Sequence, residues 1–322
     1  MLRCVIFGGT GYIGTMLARH FAGQAGVEEI ILADLKPPTE PLPARTRYVR
    51  SDVREPITGE LLGVQSDWIF NFAAIHREPG HAEHEYFDTN LRGARHVTAY
   101  AESTACPSLF FTSSIASYGP TNGPTSEASP NYPRTPYGIT KYSAEIIHEV
   151  WQRSAPGRRL VVCRPGVIYG PGDPGNILRM IRAVKRGYFF FPGDTGIRKS
   201  YGYIYGLLES ISFMMARPEP HLIYNYVEPE TETIADLVAI TREFLGTRAP
   251  VIGLPQGLLV TAAEAIQRLT GGRSPIHPVR VRKAATPTHI IPARLQELGF
   301  TFQYGFRRSL PHWKERTPDD FA

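Results

Sequence analysis

The stretch Phe7-Gly8-Gly9-Thr10-Gly11-Tyr12-Ile13-Gly14 constrains this chain most, because of what stands on either side of it. Before it, Leu2–Phe7 is a short apolar run that reads as a buried parallel strand. After it, Tyr12–Gln24 carries Ile13, Leu17 and Phe21 in a helical pattern. Glycines let such a turn adopt positive φ and let its backbone approach a pyrophosphate. The N–H groups and dipole of the helix that starts there favour the anion. A second strand, Glu29–Leu32, ends at Asp34, 20 residues past Gly14. That spacing sets a carboxylate where the adenosine ribose hydroxyls of a dinucleotide would lie. A carboxylate there repels a 2′-phosphate, so NAD is expected rather than NADP.

The alternation continues through strands at Thr46–Arg50, Trp68–Phe72, Leu109–Thr112 and Leu160–Arg164, with helices over Glu83–Ser103 and Pro136–Ser154. Repeated β-α-β units with short apolar strands predict an α/β fold, a doubly wound parallel (Rossmann) sheet. After about Gly166 the rhythm changes. Helices at Ile177–Lys185, Tyr205–Arg217 and Ile234–Leu245 and a strand at Leu222–Val227 are followed by helical pieces separated by Pro and Gly. Residues 1–166 are therefore expected to form a dinucleotide-binding domain whose sheet is completed by segments near 197–227. Residues 167–322 would form a smaller mixed α/β substrate lobe.

A chain of 322 residues, 42% of them hydrophobic, buries a core that needs no disulfide or metal staple. Cys4, Cys106 and Cys163 are far apart, in or beside strands, and read as reduced packing residues of a cytoplasmic protein. The net charge of +5 is small and reads as spread along the chain, with no Lys/Arg run, so an anionic small molecule is expected and nucleic acid is not. The N-terminus lacks a signal-peptide pattern, and no apolar stretch approaches ~20 residues, so no membrane partner is expected.

Tyr137 and Lys141 are four apart, which puts both on one side of a helix. A free phenol, with a pKa of about 10, is a poor base at neutral pH. A neighbouring ammonium and a nicotinamide cation would each favour the phenolate. By itself this spacing is a frequent accident. It occurs here with Gly8-x-x-Gly11-x-x-Gly14, Asp34, Asp52-Val53-Arg54, Asn71-Phe72-Ala73-Ala74, Phe111-Thr112-Ser113-Ser114, Tyr118-Gly119, Arg164-Pro165 and Tyr169-Gly170-Pro171-Gly172. With these the chain resembles the extended short-chain dehydrogenase/reductase family, and within it the nucleotide-sugar epimerases.

The resemblance implies roles. Gly8, Gly11, Tyr12, Ile13, Gly14 and Asp34 would hold NAD, Asp52 and Val53 would contact its adenine, and Phe72, Ala73, Ala74, His76 and Pro165 would line it. Asn90 matches a position that supports the site from the following helix, and Lys141 would hold the nicotinamide ribose. Ser114, four residues before Tyr118, matches the catalytic Ser/Thr, with Ser113 the competitor. Ser114 would hydrogen-bond the sugar oxygen whose proton Tyr137 takes. The family's dehydratases follow this position with an acidic pair; here Ile115, Ala116 and Ser117 stand instead, so dehydration is not expected.

The resemblance thus implies an NAD-retaining C4 epimerase of a UDP-hexose, feeding polysaccharide synthesis. The alternatives are a 4-keto-sugar reductase and a non-catalytic dinucleotide sensor. On the substrate side Asn176 matches a diphosphate-binding position and Lys199 falls where the family has an Arg, with Arg198 adjacent. Either cation would pair with a diphosphate, or the two form a solvated basic pair, and Gly206 replaces the family's usual Asp. Phe189–Phe191 would wall a uracil site or simply be core. The resemblance also implies a homodimer through the helix after Tyr137, where Ile146, Ile147 and Val150 would serve that face or equally be core. His76, His81 and His84 with their neighbouring Glu residues superficially resemble a metal cluster, but their spacing fits a polar loop better, and no metal is expected. Asn122–Ser129 reads as a mobile active-site loop.

Overall fold

Short strands that alternate with helices along most of the chain dictate how it packs. In a computed structural model the chain is described at all positions of 1–322 except Asn122, Pro174, Tyr188, Thr231, Ala249 and Pro275. Strands β1 (Leu2–Phe7), β2 (Val27–Asp34), β3 (Thr46–Arg50), β4 (Trp68–Asn71), β5 (Ser108–Thr112) and β6 (Arg159–Pro165) form the main sheet. Two shorter parallel pairs lie outside it: β7 (Val167–Tyr169) with β9 (Tyr201–Tyr203), and β8 (Phe189–Pro192) with β11 (Val251–Leu254). The seventh strand of the main sheet, β10 (His221–Tyr226), adds beside β6. The spatial order is β3-β2-β1-β4-β5-β6-β10, and every pairing is parallel.

The two faces of this sheet carry separate cores, because side chains alternate along each strand. Cys4 and Ile6 of β1 pack on one face with α1 (Tyr12–Ala22) and the later helices. Val5 and Phe7 pack on the other with the helices that follow β4. Strand order reverses between β1 and β4, so their following segments leave on opposite faces and a crevice opens at the carboxyl ends. The stretch Glu83–Ser103 is helical, as the periodicity predicts, but it is not uniform. It runs as α2 (Glu83–Tyr86), a π-helical turn (Phe87–Leu91) and α3 (Arg92–Ser103). Then come α4 (Pro136–Arg153), α5 (Asn176–Lys185), α6 (Ile204–Met215), α7 (Ile234–Leu245), α8 (Gln256–Leu269), α9 (Pro278–Ala285), α10 (Ala293–Glu297) and α11 (Gly305–Arg316).

The loop expected to be mobile is pinned. Asn122 lies outside the described residues, but Thr125 bridges Ile290 and exchanges backbone hydrogen bonds with His289 and Ile291. The Glu127 carboxylate accepts from the backbone N–H of Asn225 (2.8 Å) and of Arg294 (3.2 Å). Pairing with a segment 165 residues away (Thr125 to Ile290) is invisible to local composition.

Candidate active site

The glycine turn is a contact between two backbones. Gly8 has φ +75°, and a Cβ there would lie 2.6 Å from the Ala73 nitrogen; one at Gly14 would lie 2.6 Å from the Gly8 oxygen. At Gly11 a Cβ would meet only the Gly8 oxygen, at 3.1 Å, and no side chain caps α1. The first-turn N–H groups thus have no side-chain acceptor at the mouth of the crevice, a fit for a dinucleotide diphosphate. Asp34 ends β2 beside them. Its Oδ2 accepts from the Thr10 N–H at 3.1 Å, which ties the turn to the neighbouring strand. The Tyr12 ring packs under Gly170 and Gly172, and its buried hydroxyl has no hydrogen-bond partner among the described residues. What Tyr12 offers the crevice is its backbone. Ile13 is half-buried beside it.

Asp52 and the buried Val53 follow β3, and Arg54 grips the Asp52 carboxylate at 2.7–3.0 Å. The Arg54 hydrogen bond holds that carboxyl below its ordinary range. Phe72, Ala73 and Ala74 are half-buried after β4, His76 is exposed, and Pro165 is buried at the end of β6. Asn90, in the π-helical turn, spends its amide on protein. Its Oδ1 accepts from the Ile75 N–H (2.9 Å), and its Nδ2 donates to the Ile75 carbonyl (3.1 Å) and to the Thr140 hydroxyl (2.9 Å). Thr140 in turn donates to the Tyr137 carbonyl. Asn90 is therefore a positioning residue.

Tyr137 sits in the first turn of α4. Thr135 caps the helix by accepting from the Gly138 N–H (3.1 Å), and Pro136 starts it with a preset φ. A Cβ at Gly138 would lie 2.5 Å from the Ala116 carbonyl, so only glycine lets the helix start this close to the loop after β5. That approach brings the Tyr137 phenol close enough to Ser114 for the serine to favour its ionised form. Ser114 also accepts from the Ala116 N–H at 3.1 Å. Ser113 is turned the other way and donates to Glu145. The geometry therefore brings Ser114, not Ser113, to Tyr137.

Burial pushes the Tyr137 phenol up to about 12, with Ser114 pulling down and the Glu78 charge pushing up. Lys141, 2% exposed, lies one turn further with its ammonium 4.4 Å from the centre of the Phe111 ring. Burial brings its pKa down to about 7, and the Glu145 charge opposes this. Among the groups that move the Tyr137 phenol, Glu78 appears and Lys141 does not.

Three residues around this pair were given no role there by the sequence reading. Glu145 repeats the four-residue step Tyr137, Lys141, Glu145 on one helix face, a signal that was available. Its carboxylate takes Arg164 in a two-pronged pair (2.9 and 2.6 Å), and Arg164 also reaches the Tyr118 hydroxyl at 3.0 Å. Burial works against the Arg164 charge, but Glu145 outweighs it and holds the guanidinium above its ordinary pKa. Glu78 accepts from the Tyr137 backbone N–H (3.3 Å) and pairs with Lys283 (3.3 Å). No sequence pattern announces Glu78, because loop packing alone brings it there.

The substrate-side residues are less convergent. Asn176 is exposed at the start of α5 and accepts from Arg179 at 2.7 Å. Arg198 is exposed and its backbone bridges Thr233. The Lys199 ammonium donates to the carbonyls of Lys283 and Thr286 at the end of α9. Burial, helped by the Lys283 charge, lowers its pKa to about 8. Phe191 is core, whereas Phe190 is 51% exposed. His81 lies 3.5 Å from Glu85.

Residues 4–226 match the model of the NAD dependent epimerase/dehydratase family. The N-acetyl-alpha-D-glucosaminyl-diphospho-ditrans,octacis-undecaprenol 4-epimerase of Escherichia coli O157:H7 is 26% identical over 95% of this chain and 92% of its own length. The UDP-glucose 4-epimerase of Streptomyces lividans is 24% identical over 79% of this chain and 84% of its own. Among solved structures, the UDP-glucuronic acid 4-epimerase of Bacillus cereus in complex with NAD superposes with a TM-score of 0.78 over 99% of both chains at 17% identity, which shows the shared fold.

Proposed function

Because the chain belongs to the NAD dependent epimerase/dehydratase family, we propose that it inverts C4 of a diphosphate-activated hexose, first of all a UDP-hexose, through a transient 4-keto sugar. The observation that carries this reading is the close approach of the start of α4 to the loop after β5 at Gly138, which sets Tyr137 beside Ser114, with Lys141 buried one turn along the same helix. The turn from Gly8 to Gly14, Asp34, Val53, Phe72 to Ala74, His76 and Pro165 would hold the cofactor, with Asp52 and Asn90 setting the shape of its site. Bound NAD supplies a hydride acceptor and donor beside the sugar carbon, and its positive ring supplies a charge that favours the phenolate.

The chain's own residues handle the proton. Tyr137 takes it from the 4-hydroxyl and returns it to the same oxygen, while Ser114 holds that oxygen by hydrogen bond. Lys141, one turn along the same helix, is the residue we assign to the nicotinamide ribose. No carboxylate follows Ser114, so nothing there serves elimination of water. Arg198 and Asn176 are the residues we assign to the substrate diphosphate, with Lys199 bracing the C-terminal end of α9 beside them.

Two carriers of the hexose are consistent with the relatives: a nucleotide, as in the Streptomyces enzyme's name, and a polyprenyl diphosphate, as in the Escherichia enzyme's name. The 4-keto reductase reading is weaker, because Asp34 disfavours NADPH. A homodimer is also proposed, built on Ile139, Ile146 and Val150, which form an exposed apolar stripe along α4, whereas Ile147 packs against the core.

The test starts with protein purified without added cofactor. Denaturation should release NAD, and NMR should show C4 inversion within a panel of UDP-hexoses and one polyprenyl-diphospho-N-acetylhexosamine, with no cofactor supplied. Tyr137→Phe should lower turnover by about 10²–10⁴-fold with the released NAD unchanged. An empty protein that consumes NADPH on 4-keto sugars would replace the epimerase with the reductase.

A further inference from the structure

We propose that the α8–α9 hairpin is a docking surface for a bilayer rich in anionic lipids, set beside the catalytic mouth. It goes beyond the epimerase reading and does not depend on it.

The first observation is that α8 has almost no buried side. Of its residues only Ala263 is buried. The exposed positions Leu258, Thr261, Ala262, Ala265 and Leu269 fall on one helical face and carry no charge. Leu258 is 69% and Leu269 87% exposed. Beside that face Leu259 and Ile266 are half-buried. Gln256, Glu264, Gln267 and Arg268 share the remaining arc, and an amphipathic helix that leaves an uncharged face in solvent suits the surface of a bilayer. Ile252, Ile276 and Val279 add exposed apolar surface in the flanking segments.

The second observation is charge. The +5 of this chain is concentrated rather than spread. Residues 246–285 hold Arg248, Arg268, Arg273, Arg280, Arg282 and Lys283 against the single acid Glu264, an excess equal to that of the whole chain. All six cations are exposed. Apolar side chains rimmed by Lys and Arg suit the interface of an anionic membrane, where headgroup phosphates meet the cations and acyl chains meet the leucines. The same charge repels a second copy docked face to face, and α4 already offers a stripe for that partner. A docked helix of this kind needs no spanning segment, so the absence of any helix long and apolar enough to cross a membrane among the described residues is compatible with it.

The third observation is position. Lys283, in the last turn of α9, pairs with Glu78, which holds the backbone N–H of Tyr137. The hairpin therefore borders the catalytic helix, and a bilayer under α8 would lie next to the crevice.

The test uses the full chain and flotation with two kinds of vesicle, phosphatidylcholine alone and phosphatidylcholine mixed with phosphatidylglycerol. The protein should float with the anionic vesicles, not with the neutral ones, and should be released as salt rises. The double variant Leu258→Glu/Leu269→Glu should lose about tenfold or more in vesicle affinity while keeping its melting temperature and its released NAD. A chain that stays at the bottom of the gradient with anionic vesicles at low salt overturns the proposal, as does a double variant that floats like the parent. Loss of oligomeric mass in the double variant, without vesicle binding by the parent, would assign the face to a second copy and also overturn it. Failure of every sugar in the activity panel would leave the flotation result standing.

Discussion

Lys141 holds an ammonium in a place that disfavours charge. Its pKa of about 7 in the folded chain lies below the ordinary 10.5. Between those values the unfolded chain binds a proton that the folded chain does not, so stability rises with pH across this window. The cost of burying the charge is present in full below about pH 7 and fades toward pH 10.5. Lys141→Met should therefore raise stability by up to a few kcal/mol near neutral pH, and the gain should shrink as the pH is raised. Urea titrations at pH 6.5 and 9.5 check this, and turnover should be lost at both. A variant no more stable than the parent at pH 6.5 would show that Glu145 and the Phe111 ring compensate the burial in full. The Tyr137–Lys141 spacing was legible because it is periodic and local. Asp34 was legible for the same reason. The choice of Ser114 over Ser113 followed from the family pattern, and Glu145 explains it physically by drawing Ser113 inward. The supporting role of Asn90 was legible only through the family pattern, because its partners Ile75 and Thr140 arrive from two other elements.

Elements were read well where a period of 2 or 3.6 runs for long enough. Leu2–Phe7, Thr46–Arg50 and Ile234–Leu245 have the bounds the sequence predicts. The pairs β7–β9 and β8–β11 were missed, since three or four residues carry no usable period. The π-helical turn was missed because one extra residue in a helix leaves the apolar pattern almost intact. The glycine turn separates two effects that sequence merges. Gly8→Ala combines positive φ with a 2.6 Å clash against backbone, so it should cost about 2–4 kcal/mol in thermal unfolding. Gly11→Ala should change stability by less than about 1 kcal/mol, yet lower the NAD content of the purified protein, because it narrows the approach to the uncapped start of α1. Equal destabilisation by both would mean that the whole turn is structural.

At the scale of the molecule, the exposed stripe of α4 makes the proposed dimer testable apart from the site. Ile146→Glu/Val150→Glu should halve the mass seen by light scattering without changing the released NAD. An unchanged mass would place any self-association elsewhere. The sheet itself has a further consequence. Strand β10 adds beside β6, yet 55 residues lie between Pro165 and His221. On the ribosome, β6 emerges with an unpaired apolar edge and keeps it until β10 follows. At translation rates of about 5–20 residues per second that interval lasts roughly 3–12 seconds. The nascent chain is then open to wrong strand partners. Completion of the cofactor-binding sheet is thus deferred until the segments that bear Asn176, Arg198 and Lys199 have themselves been made.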